Sequence, residues 1–331
     1  MIISRTPFRV SFFGGGTDYP GWYREHGGAV LSTTIDKYCY ISVRELPPFF
    51  DHRFRIVYSI VENVKEIDKI QHPAVRAVLT RLAVATGLEI HHDGDLPARS
   101  GLGSSSAFTV GLINAIHALD GRYTSKERLA NEAIQIEQDV LREAVGSQDQ
   151  ISTAYGGFNH ITFRQDGAYR VDPMILPRQR LEALQDRLLL VYTGVSRIAA
   201  EVARRQVDNF SGLVEELRAV QQMVDRAIAI LSSPATDLVE FGRLLNEAWK
   251  IKRTLSPLVS MPVIDNLYEA ARQAGAVGGK LLGAGGGGFM LLFIEPQDRE
   301  RVIAALRGLI TVPIRFESSG TRIVLYQPVG L

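Results

Sequence analysis

A run of small residues, Pro97-Ala98-Arg99-Ser100-Gly101-Leu102-Gly103-Ser104-Ser105-Ser106-Ala107, empties into an almost wholly apolar stretch at 108–119. A helix starting at such a junction leaves backbone N–H groups unpaired at its positive end, where an anion is held best. Glycines let a polyphosphate approach the main chain, and the hydroxyls of Ser104, Ser105 and Ser106 can serve a phosphate oxygen or a metal ion. The chemistry this points to is nucleotide binding. Two carboxylates could act beside it. Ala133, Glu137 and Leu141 recur at helical spacing, with Ile134 three places before the glutamate, so Glu137 sits on an apolar stripe. Ionisation there is costly unless a metal ion, a lysine, an arginine or hydrogen bonds compensate. Asp149, in Gly146-Ser147-Gln148-Asp149-Gln150, reads as a carboxylate in a polar loop after that helix, a place that suits a cap as well as a catalyst.

Two further glycine segments flank this region. Pro7-Phe8-Arg9-Val10-Ser11-Phe12-Phe13-Gly14-Gly15-Gly16-Thr17-Asp18 puts Arg9 in a strand and Asp18 past a triple-glycine turn; by itself it also fits a turn with an Asx cap. Gly283-Ala284-Gly285-Gly286-Gly287-Gly288 satisfies G-x-G-x-x-G. A dinucleotide fingerprint opens a helix, however, and here the strand-like Phe289-Met290-Leu291-Leu292-Phe293 comes next. Lys280 lacks the glycine spacing of a P-loop. Four consecutive glycines carry a backbone-entropy cost, and its usual cause is close approach of a ligand or another backbone.

The elements that must position these groups follow from periodicity. Strands are predicted at 9–13 and 29–43, a helix at 72–86 that stops at Gly87, and a short strand at 89–91. The buried helix at 108–119 is followed by one capped by Ser125 and running to about Arg142, then by a strand ending at Phe163. Beyond a linker at 172–177 come a buried strand at 187–193 and two long helices, 196–231 and 237–254. A helix at 262–274, a strand at 289–293, a helix at 296–306 and strands at 312–316 and 321–326 make the second half α+β.

Bulk properties narrow the function classes. The 331 residues suffice for two domains, and 46% hydrophobic with 22% charged residues is ordinary globular composition. A net charge of +1 without a basic block argues against broad nucleic-acid binding. One cysteine, Cys39, excludes an intrachain disulfide and a cysteine-rich metal site. The start Met1-Ile2-Ile3-Ser4-Arg5-Thr6-Pro7 lacks signal-peptide features, and no apolar run reaches membrane-spanning length, so a cytoplasmic location is expected. The adjacent His91 and His92 would face opposite sides of a strand and receive no role.

Taken together, the three segments resemble the GHMP kinases, named for galactokinase, homoserine kinase, mevalonate kinase and phosphomevalonate kinase. Pro7 through Asp18 looks like the first family motif, Pro97 through Ala107 matches the second, P-x-x-x-G-L-G-S-S-x-A, and Lys280 with Gly283 through Gly288 matches the third. The resemblance implies an α+β two-domain fold, with an N-terminal ribosomal S5 domain 2-like α/β domain at 1–176 and a C-terminal ferredoxin-like domain at 177–331. It implies ATP and Mg²⁺ as cofactors and a small-molecule alcohol as acceptor, with no nucleic-acid or membrane partner; a homodimer is left open.

Position by position, Asp149 matches the family's catalytic aspartate, Arg9 the arginine beside it, and Glu137 the metal-associated glutamate. Ser104 and Ser105 match the serines around phosphates and Mg²⁺. Gly101, Leu102, Gly103 and Ser106, with Gly285 and Gly286, are expected at the ATP phosphates, and Asp18, Gly15, Gly16 and Thr17 at the sugar. Arg197 and Lys252 are candidate donors to a phosphate carried by the sugar, drawn from a set that includes Arg99 and Arg253. Gly14-Gly15-Gly16-Thr17-Asp18 departs from galactokinase, which has Gly-Glu-His-Thr-Asp there. With Thr34-Ile35-Asp36-Lys37-Tyr38 and Tyr192-Thr193-Gly194-Val195-Ser196-Arg197, this form resembles the D-glycero-D-manno-heptose 7-phosphate kinases, which phosphorylate an anomeric hydroxyl. A free-sugar 1-kinase, as for fucose, and a non-catalytic sensor on the same fold are the rival readings.

Overall fold

The first strand is longer than its apolar run suggests. In the computed structural model, which describes residues 1–195 and 199–328, β1 (Ile2–Phe13) alternates buried and half-buried positions as far as Arg5 and is buried throughout thereafter. Cover on both faces removes the alternation that marks a strand in sequence. β2 (Gly28–Glu45) pairs with it antiparallel along most of its length. β3 (Phe54–Val57), β4 (Val61–Val64), β5 (Leu88–Gly94), β6 (Phe158–Phe163) and β7 (Tyr169–Pro173) extend the sheet. β5 and β6 both pair with β2, which is long enough to serve one at each end. A second, four-stranded sheet in the order β11-β8-β10-β9 holds β8 (Leu188–Tyr192), β9 (Ala276–Leu281), β10 (Phe289–Ile294) and β11 (Thr311–Val312). The chain then returns: β12 (Phe316–Glu317) pairs with β2 and β13 (Arg322–Tyr326) with β1, completing nine strands in the first sheet.

Helices α1 (Pro20–His26), α2 (Pro73–Arg81), α3 (Ser104–Leu119), α4 (Lys126–Ile134) and α5 (Gln148–Tyr155) belong to the first half. α6 (Arg178–Asp186), α7 (Ala199–Asp208), α8 (Val214–Ser232), α9 (Val239–Thr254), α10 (Pro262–Gln273) and α11 (Arg299–Ala305) belong to the second. α3 lies directly on β1, where Gly111 lets the backbones approach: Ser4 Oγ donates to its carbonyl at 2.8 Å.

Three helical expectations need correction. The helix expected to reach residue 86 ends at Arg81, because Ala83 takes a left-handed φ of 51° and turns the chain. The run from Ser125 to Arg142 is α4 followed by a π-turn at Gln135–Val140. The long helix expected at 196–231 is broken after Asp208, where Phe210 turns in to meet Tyr19 and Trp22 edge-on; residues 196–198 lie outside the described residues.

The largest of the apolar cores among the described residues runs through both sheets, and Phe12 is central to it. Its ring meets Phe158 of β6, Phe241 of α9 and Phe316 of β12 edge-on at 5.5, 5.4 and 6.2 Å. Replacing it opens a cavity on several elements at once. Phe12→Ala should cost about 3–5 kcal/mol, read as a lower urea midpoint in equilibrium unfolding.

Candidate active site

Arg9 organises the cleft between the two halves. Its backbone N–H donates to Leu102 O at 2.9 Å, which ties β1 to the phosphate-type loop. Its guanidinium grips Asp149 with two parallel bonds, Nε to Oδ1 and Nη2 to Oδ2, each 2.7 Å, while Nη1 donates to Gly101 O at 2.6 Å. Arg9 is 4% exposed and the Asp149 side chain 25%, so the pair is held from one side and open to the cleft from the other. A planar fork on a carboxylate fixes distance and orientation together. Asp149 is not in a loop, as expected, but in the first turn of α5, whose later residues pack against β1 and β2.

Around this pair lies a cavity of about 350 Å³. Gly101, Gly103, Ser104, Ser105 and Ser106 line one side; Gly15, Gly16, Asp18 and Tyr19 line another. Gly103, at a φ of 73°, precedes α3, and a Cβ there would come 3.0 Å from Arg9 Cγ. The α3 start therefore lies against the Arg9–Asp149 pair.

Asp18 is 1% exposed and accepts from Gly16 N at 3.0 Å and Gln148 N at 3.3 Å. Burial, and then the charge of Asp149, push its carboxyl up to about 6. Thr17 lies behind the wall, its hydroxyl donating to Gly14 O and Ala29 O. Leu102 is likewise buried away from the cavity.

The third glycine segment contributes Gly283 and Ala284 to the lining, whereas Gly285 and Gly286 stand one layer back. Gly286 donates its N–H to Val259 O at 2.9 Å, and a Cβ on Gly285 would meet Val259 Cα at 2.8 Å. Gly283 backs onto Gly101, and Gly288 onto the Ser100 carbonyl. Gly283 and Gly288 thus permit close approach of the phosphate-type loop, and Gly285 that of Val259.

Lys252 lines the cavity, while Arg197 lies outside the described residues. Ser11, Gln148 and Lys280 are among the lining residues that the sequence reading does not assign to the site. Ser11 follows Arg9 by two positions in β1, a spacing that could have marked it. Gln148 precedes Asp149, and Lys280 opens the third glycine motif. Ser11 Oγ and Gln148 Oε1 are buried with no partner among the described residues, as groups awaiting a polar ligand would be.

Glu137 is 1% exposed and sits on the π-turn. Its Oε2 accepts from Ser106 Oγ at 2.8 Å and from Gln150 Nε2, and its Oε1 has no partner among the described residues. Ser104 Oγ instead accepts from Arg99 N at 3.1 Å. Burial pushes the Glu137 carboxyl up to about 7 against the pull of its hydrogen bonds. A buried carboxylate bonded to Ser106 Oγ, in the first turn of α3 that also carries Ser104 and Ser105, offers all-oxygen donors of the kind that suit Mg²⁺.

These features have counterparts in known proteins. A family model, GHMP kinases N terminal domain, matches residues 63–157, and a second, GHMP kinases C terminal, matches 226–309. The chain belongs to the GHMP kinase family. It is an ATP-dependent phosphotransferase with an alcohol acceptor, built on the two-domain α+β fold of these kinases. It is 30% identical to the D-glycero-alpha-D-manno-heptose 7-phosphate kinase of Campylobacter jejuni, over 92% of this chain and 93% of that protein. It is 26% identical to the bifunctional fucokinase/GDP-fucose pyrophosphorylase of Arabidopsis thaliana over 89% of its own length, but spans only 30% of that enzyme. A solved D-glycero-D-manno-heptose 1-phosphate kinase from Bacteroides thetaiotaomicron shares the fold with a TM-score of 0.79, 24% identity and 98% of each chain covered. Among the described residues of this GHMP kinase, no helix is long and apolar enough to cross a membrane.

Glu137 gives a test in the metal-free protein. A carboxyl raised from 4.5 to about 7 on folding binds a proton that the unfolded chain releases. Its stability contribution is full below about pH 4.5 and is lost as pH rises through 7. Glu137→Gln should therefore melt higher than the parent at pH 8, by about 1–3 kcal/mol in unfolding free energy, and match it near pH 4.5. Thermal melts at both pH values with chelator present check this.

Proposed function

We propose that this GHMP kinase transfers the γ-phosphoryl group of ATP to the anomeric hydroxyl of D-glycero-D-manno-heptose 7-phosphate. The product is the 1,7-bisphosphate, on the way to nucleotide-activated heptose for surface polysaccharide. The observation that carries the transfer chemistry is the bidentate Arg9–Asp149 pair facing the start of α3 across the cleft. Support for the sugar comes from the likeness to the Campylobacter jejuni protein along nearly the whole of both chains.

Phosphoryl transfer asks a protein mainly for in-line positioning and for neutralisation of charge. ATP phosphates lie against Gly101 to Ser106, where unpaired N–H groups and the helix dipole supply about 0.3–2 kcal/mol. Ser104 or Ser105, together with Glu137, would hold a Mg²⁺, whose charge neutralises the phosphates when it is bound. Asp149 accepts the proton of the acceptor hydroxyl, and Arg9 keeps that carboxylate aimed. Asp18, with Gly15 and Gly16, holds the sugar. The chain divides near residues 176 and 177 into the nucleotide-binding part and the rest, with its last strands rejoining the first part.

Asp149→Asn should lower kcat by about 10²–10⁴-fold while leaving ATP affinity near the parent value, measured by ADP release and by nucleotide titration. An unchanged kcat would refute the assignment. A panel of heptose 7-phosphate, free heptose, fucose and mevalonate, read by sugar-dependent ADP release, tests the substrate; turnover of the free sugars alone would reject the sugar phosphate.

A further inference from the structure

Charge inside the cleft does not balance. Lys252, in the last turn of α9, and Lys280, on β9, both line the cavity. Among the described residues neither ammonium has a carboxylate within 4.0 Å. Lys252 Nζ donates to the carbonyls of Leu281, at 2.8 Å, and Gly283. Lys280 Nζ donates to Phe12 O at 2.8 Å. An ammonium carries three donors, so one N–H of Lys252 and two of Lys280 remain to be satisfied. Arg9 cannot share its charge outward, because Asp149 neutralises it. Asp18 acts on Lys280 only through space, and its oxygens accept from the Gly16 and Gln148 N–H groups. A cation without a counter-ion is costly where it is buried, as Lys280 is, and less so where it is half-buried, as Lys252 is. An anionic ligand removes that cost.

We propose that Lys252 and Lys280 form an anion site and that its occupant is the phosphoryl group passing from ATP to the acceptor. The position selects this occupant. Both ammoniums lie in the field of Arg9, which touches Asp149 on one side and the Gly101 carbonyl on the other. Lys252 Nζ bonds the carbonyl of Gly283, which backs onto Gly101 of the phosphate-type loop. Lys280 Nζ bonds that of Phe12, on the strand that bears Arg9, so an anion they share belongs to the transferring end of the nucleotide. In the transfer, the acceptor oxygen forms the new P–O bond and the bond from phosphorus to the β,γ-bridging oxygen breaks. ADP leaves with that oxygen, and the hydroxyl proton goes to Asp149. The open N–H groups of the two lysines bond the non-bridging oxygens throughout. The inference rests on the transfer site proposed above and not on the identity of the sugar.

The charge states supply a direct readout. Burial, then Lys280 and Arg9, push the Lys252 ammonium well down. Burial, then Arg9, bring Lys280 to about 7, with Asp18 pulling the other way. Arg99 and Glu143 complete the charged lining, beside Asp149. Above neutral pH the Lys280 side chain therefore gives up its proton, and an anion held beside the two lysines restores it.

Calorimetric titration of the intact protein with Mg²⁺–ATP and Mg²⁺–ADP, without acceptor, at about pH 8.5 in two buffers of different ionisation heat, counts these protons. ATP should take up more protons than ADP. Lys280→Met and Lys252→Met should abolish the difference while keeping ADP affinity within about threefold, which shows that the variants are folded. Turnover of Lys280→Met should fall by about 10²–10³-fold, as for loss of a donor to developing charge, and Lys280→Arg should recover part of it. Equal uptake with both nucleotides, a difference that survives both substitutions, or uptake on adding heptose 7-phosphate alone would overturn the proposal. If free sugars prove to be the substrates, the ATP–ADP difference is still expected, so the two readings fail separately.

Discussion

One guanidinium fixes the geometry of this cleft. Arg9 takes its place from β1, lends its backbone N–H to Leu102, and spends its side chain on Asp149 and the Gly101 carbonyl. Three stretches far apart in the chain are thereby held to one another: the first strand, the loop before α3, and the first turn of α5. A buried pair of this kind is weak evidence for stability, but losing one partner strands a charge at a cost of about 3–5 kcal/mol. What the contact secures is alignment. A carboxylate gripped through both oxygens presents its open side to the cleft at a set distance from the α3 start.

The glycines serve the same alignment from behind. Gly101 and Gly283 bring two backbones together, and Gly288 sits against the Ser100 carbonyl. Phe289 N–H bonds that carbonyl at 3.1 Å, so the second sheet buttresses the loop directly. Gly146 plays a matching part for Asp18, since a Cβ there would lie 1.8 Å from Asp18 Oδ2. Small residues that look in sequence like ligand contacts are here largely the means by which one main chain supports another.

That distinction explains what could be read in advance. The start of α3 was legible because a serine-rich turn and an apolar run are local signals, and β10 after the glycines was legible from its continuous apolar character. The burial of Glu137 followed from its stripe even though the helix there is a π-turn, because its neighbours along the chain still set its face. Asp149 on a helix was hidden, since Gly-Ser-Gln-Asp-Gln has loop composition and α5 forms by packing against β1 and β2. Lys280 was hidden for a similar reason: Ala276–Leu281 contains two glycines and becomes a strand only by pairing with β10. The break after Asp208 depends on aromatic partners from the first half, which no local pattern reveals.

The return of β12 and β13 to the first sheet has a consequence for biosynthesis. The strand that bears Arg9 leaves the ribosome long before residues 322–326, with which its outer edge pairs. Until those residues emerge, a nascent chain carries an open strand edge that invites non-native pairing. Translation halted short of residue 316 would leave the arginine's sheet unfinished, however well the loop and its helix had already formed.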